Sequence, residues 1–488
     1  MTLVHRIERL VDPARAFAAL YRDSQSAFWL DSSRSGGGAR FSFMGDASGP
    51  LGATVAYDVE AGEVTVSRGG ETGVRAEPIL DYLEQELSRL RPSVADPASD
   101  LPFDFHCGFV GYLGYEVKAD CGSPNSHSSS LPDAAFVFAD RLLAFDHESR
   151  HTYLLCLCKP GTEKAANSWI AETAARLSTL GAAAGPEDVG GGSAEPPRCC
   201  SADPPPTSSC LVRSPARYLE DIAACKEHLL EGDSYEICLT NTIAADFDSD
   251  PLDLYMELRR VNPAPFASYL RFGELSVLSS SPERFLRIDR EGGVETRPIK
   301  GTAPRGSTPA EDASLAEDLR TSEKNRAENL MIVDLMRNDL GAVCAVGSVE
   351  VPALMEVESY ETVHQLVSTV RGRLRPGGTA LECVRSCFPP GSMTGAPKLR
   401  TMEILDRLEG RPRGVYSGAI GYFGLGGGCD LSVTIRAIVL AGGEASIGTG
   451  GAIVLQSDAQ NELREAFLKA QAPLRALGYR NKICCTCP

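Results

Sequence analysis

The sequence predicts an α+β fold: a large mixed assembly of antiparallel sheets with flanking helices, in two subdomains. Three observations carry this. Strand-like runs with alternating or fully apolar patterning occur in both halves of the chain. Helical runs are scattered among them, without the strand–helix alternation of a parallel α/β fold. One Gly/Pro/Ser-rich stretch divides the chain near its middle.

In chain order, strands are expected at 28–30, 40–44, 53–57, 135–138 and 152–157, with helices at 79–90 and 165–180. Residues 181–214 hold GAAAGPEDVGGGSAEPP and then ADPPPTSS, which bury no core and read as a flexible linker. A helix then starts at Tyr218, with Leu219, Ile222, Ala223, Leu229 and Leu230 on one side, and stops at Gly232. Strands follow at 237–243, 268–272, 277–280, 285–288 and 294–299. Thr308 as N-cap, Pro309 in the first turn and Glu311 closing a capping box open a helix that runs, with a break, to Gly341. Late strands are expected at 418–423, 431–440 and 445–448, and a last helix at 461–477. Surface turns fall at 35–38, 124–130 and 426–428. The division is therefore an N-terminal region 1–180, the linker 181–214, a second folded region 215–475 and a Cys-containing tail 476–488.

Composition narrows the class. A formal net charge of -17 over 488 residues speaks against nucleic acid or an anionic membrane as partner. No apolar run approaches the roughly 18 residues that a membrane-spanning helix needs. Glu8, Asp12 and Asp23 interrupt the N-terminus, so it does not read as a secretory signal. The 16 cysteines are scattered, which suits reduced intracellular thiols. Cys156/Cys158, Cys199/Cys200 and the tail Cys484, Cys485, Cys487 lack the second ligand pair that a zinc site requires.

Three groups of residues could carry chemistry. Glu328 begins an apolar helical stretch, and Glu462, Glu465 and Lys469 share one face of the last helix. Glutamates facing each other from two helices make an oxygen shell for Mg²⁺; the plain alternative is solvated helix charge. In RPIKGTAPRG, strand alternation puts Lys300 and Thr302 on one face, and a lysine beside a glycine is a nucleophile if burial lowers its pKa; the plain alternative is a surface lysine on a loop. Upstream, Glu283 sits between a turn and a strand, as a general acid or simply an exposed carboxylate. Finally, GSMTGAPK with Ser392, and GTGGA with Gly450 and Ala452, let backbone approach an anion closely or merely turn. Arg436, in a β-rich run, needs an anion to pair with, and His364 is either a polar contact or a core histidine.

The order of these motifs is more specific than any one of them. SPERF, RPIKGTAPRG, EKNRAENLMIVDLMRNDLG, VHQLVS, FPPGSMTGAPK, GVYSGAIGYFG, DLSVTIRAI and GTGGAIV, followed by a Glu-x-x-Glu helix, closely resemble the chorismate-binding family over about residues 215–475. That family includes the large subunits of anthranilate and aminodeoxychorismate synthases, and isochorismate and salicylate synthases. FWLDSS, RFSFMG and GFVGYLGYEVKADCG resemble its N-terminal region, the part that holds tryptophan in relatives.

The resemblance implies an anthranilate synthase component I-like fold. It implies Glu328 and Glu465 as Mg²⁺ ligands with Glu462 close by, and Glu283 as the acid that protonates the departing ring hydroxyl. Arg436, Tyr416 and the backbone at Gly450 and Ala452 would hold the substrate carboxylates. His364, Ser392, Gly301, Thr302 and Lys469 would line the site. Glu236 stands where isochorismate and salicylate synthases have a water-activating lysine. Lys300 matches the PIKGT version of its motif, which belongs to the aminodeoxychorismate branch; the anthranilate branch has alanine there. The implied partners are chorismate, ammonia and a separate glutamine amidotransferase subunit, since no Gly-x-Cys-x-Gly glutaminase motif is present. Tryptophan is a further candidate ligand of the N-terminal region. The expected compartment is cytoplasmic, or the plastid if a presequence precedes this sequence. The alternatives are an anthranilate synthase component I and a non-catalytic chorismate or amino-acid sensor.

Overall fold

The helix signals in the sequence are realised through their caps. In a computed structural model describing residues 1–32, 39–91, 101–181, 211–360 and 363–479, Ser214 caps the helix Pro215–Leu230 by accepting the Arg217 N–H at 3.2 Å. Thr308 accepts the Glu311 N–H at 3.2 Å to open Pro309–Thr321. The Glu311 carboxylate returns to the Ser307 N–H at 2.8 Å, one residue before the expected partner. The anticipated break falls at Ser322, which caps a second helix, Glu323–Gly341. Asp458 caps the last helix, Ala459–Ala476.

The strands form two large sheets in which every recorded pairing is antiparallel. Eleven described strands make the first, in the order Thr2–Ile7, His151–Leu157, Arg141–Asp146, Phe41–Asp46, Ser26–Asp31, Phe266–Phe272, Leu275–Ser281, Ala437–Ala441, Glu444–Ile453, Glu236–Asp246 and Gly395–Ala396. The second runs Ile299–Pro304, Val363–Arg373, Gly293–Thr296, Arg284–Ile288, Cys429–Val433, Ala419–Gly424, Gly108–Leu113, Ala134–Ala139, Ala53–Asp58, Glu63–Arg68 and Glu71–Ala76, with Glu350–Ser359 also on Val363–Arg373. Strands from before residue 181 and after residue 211 thus sit side by side in both layers. One core cluster lies along Phe105, Phe109, Phe136, Phe285, Ile332 and Phe423, and another along Phe17, Trp29, Tyr255, Tyr269 and Ile447.

The structure departs from the sequence reading at two expected strands. The run 294–299 breaks at Arg297-Pro298 into Gly293–Thr296 and Ile299–Pro304, each paired separately with Val363–Arg373, since proline cannot donate to a ladder. The strand expected over 431–440 is two strands, Cys429–Val433 and Ala437–Ala441, and they belong to different sheets. No described helix is long and apolar enough to cross a membrane. The ten described cysteines are free thiols. The linker positions 182–210, the turn at 35–38, Cys199/Cys200 and the tail cysteines lie outside the described residues.

Candidate active site

Two crossings between the sheets lie next to each other and define one end of the site. Between Leu275–Ser281 and Arg284–Ile288 the chain passes from the first sheet to the second at Pro282-Glu283. Between Cys429–Val433 and Ala437–Ala441 it passes back, with Arg436 at the end of the crossing. The crossings are stitched by backbone: Val433 N–H donates to the Glu283 carbonyl at 3.0 Å and Ser280 N–H to the Arg436 carbonyl at 3.2 Å. Arg436 has φ +52°, left-handed for a residue with a side chain. Strain of this kind costs about 1–3 kcal/mol and persists only where surroundings enforce it.

Glu283 is 6% exposed. Burial pushes its carboxyl up to about 7, against the Ser392 hydrogen bond and the charges of Lys300 and Arg436. It is therefore an acid that carries a proton near neutral pH. The Arg436 guanidinium makes no hydrogen bond or ion pair among the described residues, and desolvation lowers its pKa. A half-buried cation in that state is ready for an anion.

Lys300 lies on the strand Ile299–Pro304, near enough for its charge to act on Glu283. Its ammonium, 8% exposed as a residue, donates to Glu236 Oε1 at 2.5 Å. Glu236 is fully buried, and its Oε2 has no hydrogen-bond partner. Desolvation works to lower the Lys300 pKa, but Glu236 and then Glu328 overcome it and hold the amine above its ordinary value. This corrects the expectation of a lysine neutralised by burial: the ion pair outweighs desolvation. Thr302 is exposed, so it does not share the face of Lys300. Gly301, at φ +85°, interrupts the alternation, and the register with Val363–Arg373 shifts there.

The helices Glu323–Gly341 and Ala459–Ala476 bring the other carboxylates. Glu328 and Glu462 are buried, and the Glu465 side chain is about half-exposed. Lys324 donates to Glu462 Oε1 at 2.8 Å and stands 3.7 Å from Glu328 Oε1. Ser457 Oγ also donates to Glu462, at 2.7 Å. Lys469 pairs with Glu465 at 2.7 Å and donates to the Gly450 carbonyl at 3.0 Å. Burial raises the Glu328 pKa; Glu465, though desolvation opposes it, is lowered by Lys469, Lys324 and Lys300.

These residues fit a hard divalent cation. Carboxylate oxygens are its preferred donors, and Glu328 Oε1 is buried and accepts no hydrogen bond. The oxygens of Glu328, Glu462 and Glu465 are nevertheless not drawn within 4.8 Å of one another. The described group that is so close, His228, Glu231 and Asp233, is a surface cluster. There Asp233 is already bound to His228 at 2.8 Å and Arg400 at 3.0 Å.

The remaining expected residues are distributed as follows. Tyr416 is buried, and a Cβ on Gly448 would lie 2.0 Å from its ring, so glycine is required for their contact. A Cβ on Gly450 would meet the Leu239 carbonyl at 2.2 Å, and one on Gly451 would face Glu462 Oε2 and Lys469 Nζ at 3.3 Å. Ala452 pairs with Cys238, two residues from Glu236. His364 is buried with both ring nitrogens engaged, to Asp312 at 2.9 Å and Ser359 at 2.7 Å. Lys398 of GSMTGAPK is a structural pin, bound to Asp339 at 2.6 Å and the Cys387 carbonyl at 2.7 Å.

Sequence reasoning missed Lys324 and Arg413. Lys324 had a signal, four residues before Glu328 on one helix. Arg413 had none: its side chain, 2% exposed, joins Glu409 at 2.8 Å, the Met393 carbonyl at 2.6 Å and the Cys238 carbonyl at 2.8 Å. It thereby ties together the segments carrying Ser392, Glu236 and Tyr416. In the N-terminal region FWLDSS is folded around the chain's own Trp29. Its ring stacks on Phe17 at 5.3 Å under the Arg259 guanidinium at 5.4 Å, and Asp31 accepts from Arg259 at 2.6 Å.

The profile of the chorismate binding enzymes matches residues 42–475, a span holding every site residue above. The chain belongs to the chorismate-binding enzyme family. It is 50% identical over 97% of its length to an aminodeoxychorismate synthase of Streptomyces pristinaespiralis, covering 65% of that protein. It is 46% identical over 92% of its length to the chloroplastic aminodeoxychorismate synthase of Arabidopsis thaliana, covering 50% of it. The chain thus spans about half to two thirds of the length of these relatives. Among solved structures, anthranilate synthase component I from Streptococcus pneumoniae TIGR4 superposes with a TM-score of 0.71 at 26% identity, over 96% of this chain and 100% of that one. The α+β fold of antiparallel sheets with flanking helices is the fold of this chorismate-binding family.

Proposed function

We propose that this chain is the aminating component of an aminodeoxychorismate synthase. It converts chorismate and ammonia to 4-amino-4-deoxychorismate, the precursor of para-aminobenzoate, with Mg²⁺ bound by Glu328, Glu465 and Glu462. The ammonia comes from glutamine through an amidotransferase. The observation that supports this reading is the buried Lys300 amine, paired with Glu236 and near enough to Glu283 and Glu328 for their charges to interact. An anthranilate-type site has no amine at that position.

The electrostatics suit a dianionic substrate. Glu236, Glu328, Glu462 and Glu465 are balanced by Lys300, Lys324, Lys469 and Arg436, so a dication and a dianion enter together without leaving net charge. Bound Mg²⁺ supplies neutralisation of a substrate carboxylate. Arg436 and Tyr416 hold and orient the other carboxylate. Lys300 passes a proton to Glu236, and its neutral amine bonds to ring C2 while the C4–oxygen bond breaks. Glu283 gives its proton to the leaving hydroxyl, which departs as water. Ammonia then bonds to C4, the C2–nitrogen bond breaks, and Lys300 leaves as the amine. The new ammonium returns a proton to Glu283, and Glu236 returns the other to Lys300.

The test is incubation of the protein with chorismate, ammonium and Mg²⁺, with and without an aminodeoxychorismate lyase. Para-aminobenzoate appearing only with the lyase is the expected result. Fluorescent anthranilate formed without lyase would instead assign the chain to the anthranilate branch.

A further inference from the structure

We infer that Lys324 is a built-in counter-ion that occupies the cation position between Glu328 and Glu462 and must be expelled when magnesium binds. The inference rests on the magnesium reading above.

Three features of the structure lead to it. The Lys324 ammonium lies between one carboxylate from each helix, 2.8 Å from Glu462 Oε1 and 3.7 Å from Glu328 Oε1. The longer contact leaves Glu328 Oε1 without a hydrogen bond, so the lysine neutralises that oxygen without satisfying it. The glutamate oxygens are also not gathered to the spacing of a shared ion. Glu462 is held by Lys324 and Ser457, and Glu465 by Lys469. A cation with a contracted oxygen shell therefore needs Glu462 to let go of Lys324.

Position on the helix makes the exchange feasible. Lys324 is in the first turn of Glu323–Gly341, one helical turn before Glu328, and its side chain is 38% exposed, whereas Lys300 is enclosed. A long stem rooted at the mouth swings to solvent or to an incoming carboxylate by rotation about its own bonds. Once displaced, the ammonium is an extra positive charge beside the site at the moment a dianion arrives. The apparent metal affinity is then the intrinsic affinity reduced by the fraction of molecules in which the lysine has left.

The experiment is a calorimetric titration of the whole chain with MgCl₂ alone, comparing wild type with Lys324→Met and Lys324→Arg. Circular dichroism checks that each variant is folded. If the lysine occupies the position about nine-tenths of the time, Lys324→Met binds Mg²⁺ about tenfold more tightly than wild type. Lys324→Arg, which keeps the competing charge, stays within about threefold of wild type. An unchanged or weaker Kd in Lys324→Met overturns the inference while leaving the magnesium site standing. No Mg²⁺ binding to wild type or either variant overturns both, and it does so without reference to turnover.

Discussion

The two ends of the site are built in contrasting ways. Glu283 and Arg436 sit where the backbone passes between sheets, and carbonyl–amide bonds of 3.0 and 3.2 Å fix them whatever the pocket contains. The opposite end is a set of side-chain ion pairs, Lys300–Glu236, Lys324–Glu462 and Lys469–Glu465, each holding a charge that the proposed reaction needs elsewhere. The proposed acid and anion holder are thus pre-set, whereas the proposed nucleophile and metal ligands are each paired with a partner they would have to exchange. Preorganisation is cheap where backbone supplies it, whereas clustered like charges need temporary neutralisation before ligands arrive.

The largest expected effect breaks the exchangeable end. Lys300→Ala leaves Glu236 buried without its cation and removes the proposed nucleophile, so aminodeoxychorismate formation should fall by at least about 10³-fold. Ammonia then attacks C2 directly, and a 2-amino product or anthranilate appears in product analysis by liquid chromatography. Wild-type kinetics in this variant would sink the covalent role and leave the family membership intact.

At the fixed end, Glu283→Gln should lower kcat by about 10²- to 10⁴-fold. Because the Glu283 carboxyl is raised to about 7, wild-type activity should decline as pH rises through that value, and the variant should lose this limb. The linkage has a matching sign. A carboxyl whose folded pKa is raised stabilises the fold fully below its unfolded value near 4.5, and that contribution disappears as pH climbs towards 7. In denaturant melts between those limits, wild type should therefore lose stability relative to Glu283→Gln as pH rises.

Next in size is the brace between the two ends. Arg413→Met leaves Glu409 buried and uncompensated, and should destabilise the protein by about 3–5 kcal/mol in denaturant unfolding. A smaller loss would mean that the segments carrying Ser392 and Tyr416 hold their places without it. The mildest change is Arg436→Lys, which keeps the charge but forfeits the planar fork. It should raise KM for chorismate about tenfold, or about 1.4 kcal/mol, with kcat less affected. An unchanged KM would remove Arg436 from carboxylate binding.

Much of this architecture was legible because it is local. The cap at Thr308, and the strand-like runs at 237–243 and 268–272, depend on residues a few positions apart. What escaped depends on distant partners or on one backbone angle. The run 431–440 has uninterrupted strand character, and only the sheet crossing, with the left-handed Arg436, divides it. Thr302 leaves the face of Lys300 because Gly301 takes a positive φ that alternation cannot register. The protonation of Lys300 turned on Glu236, 64 positions away in sequence. The family was legible as a resemblance in motif order, which also proposed Glu283, Lys300, Glu328 and Arg436 as site residues; their burial and charge partners were not legible.

The paired crossings also bear on how the protein breathes. The amide hydrogens of Val433 and Ser280 are bonded across them, and each crossing joins strands paired with neighbours in two different sheets. Opening either bond therefore requires both layers to part, so these two amides should exchange with solvent only on global unfolding. Fraying of the helix-borne lysines and glutamates can proceed many times within that interval. The acid and the arginine would keep their places throughout, like the hinge pins of a door whose leaf swings freely.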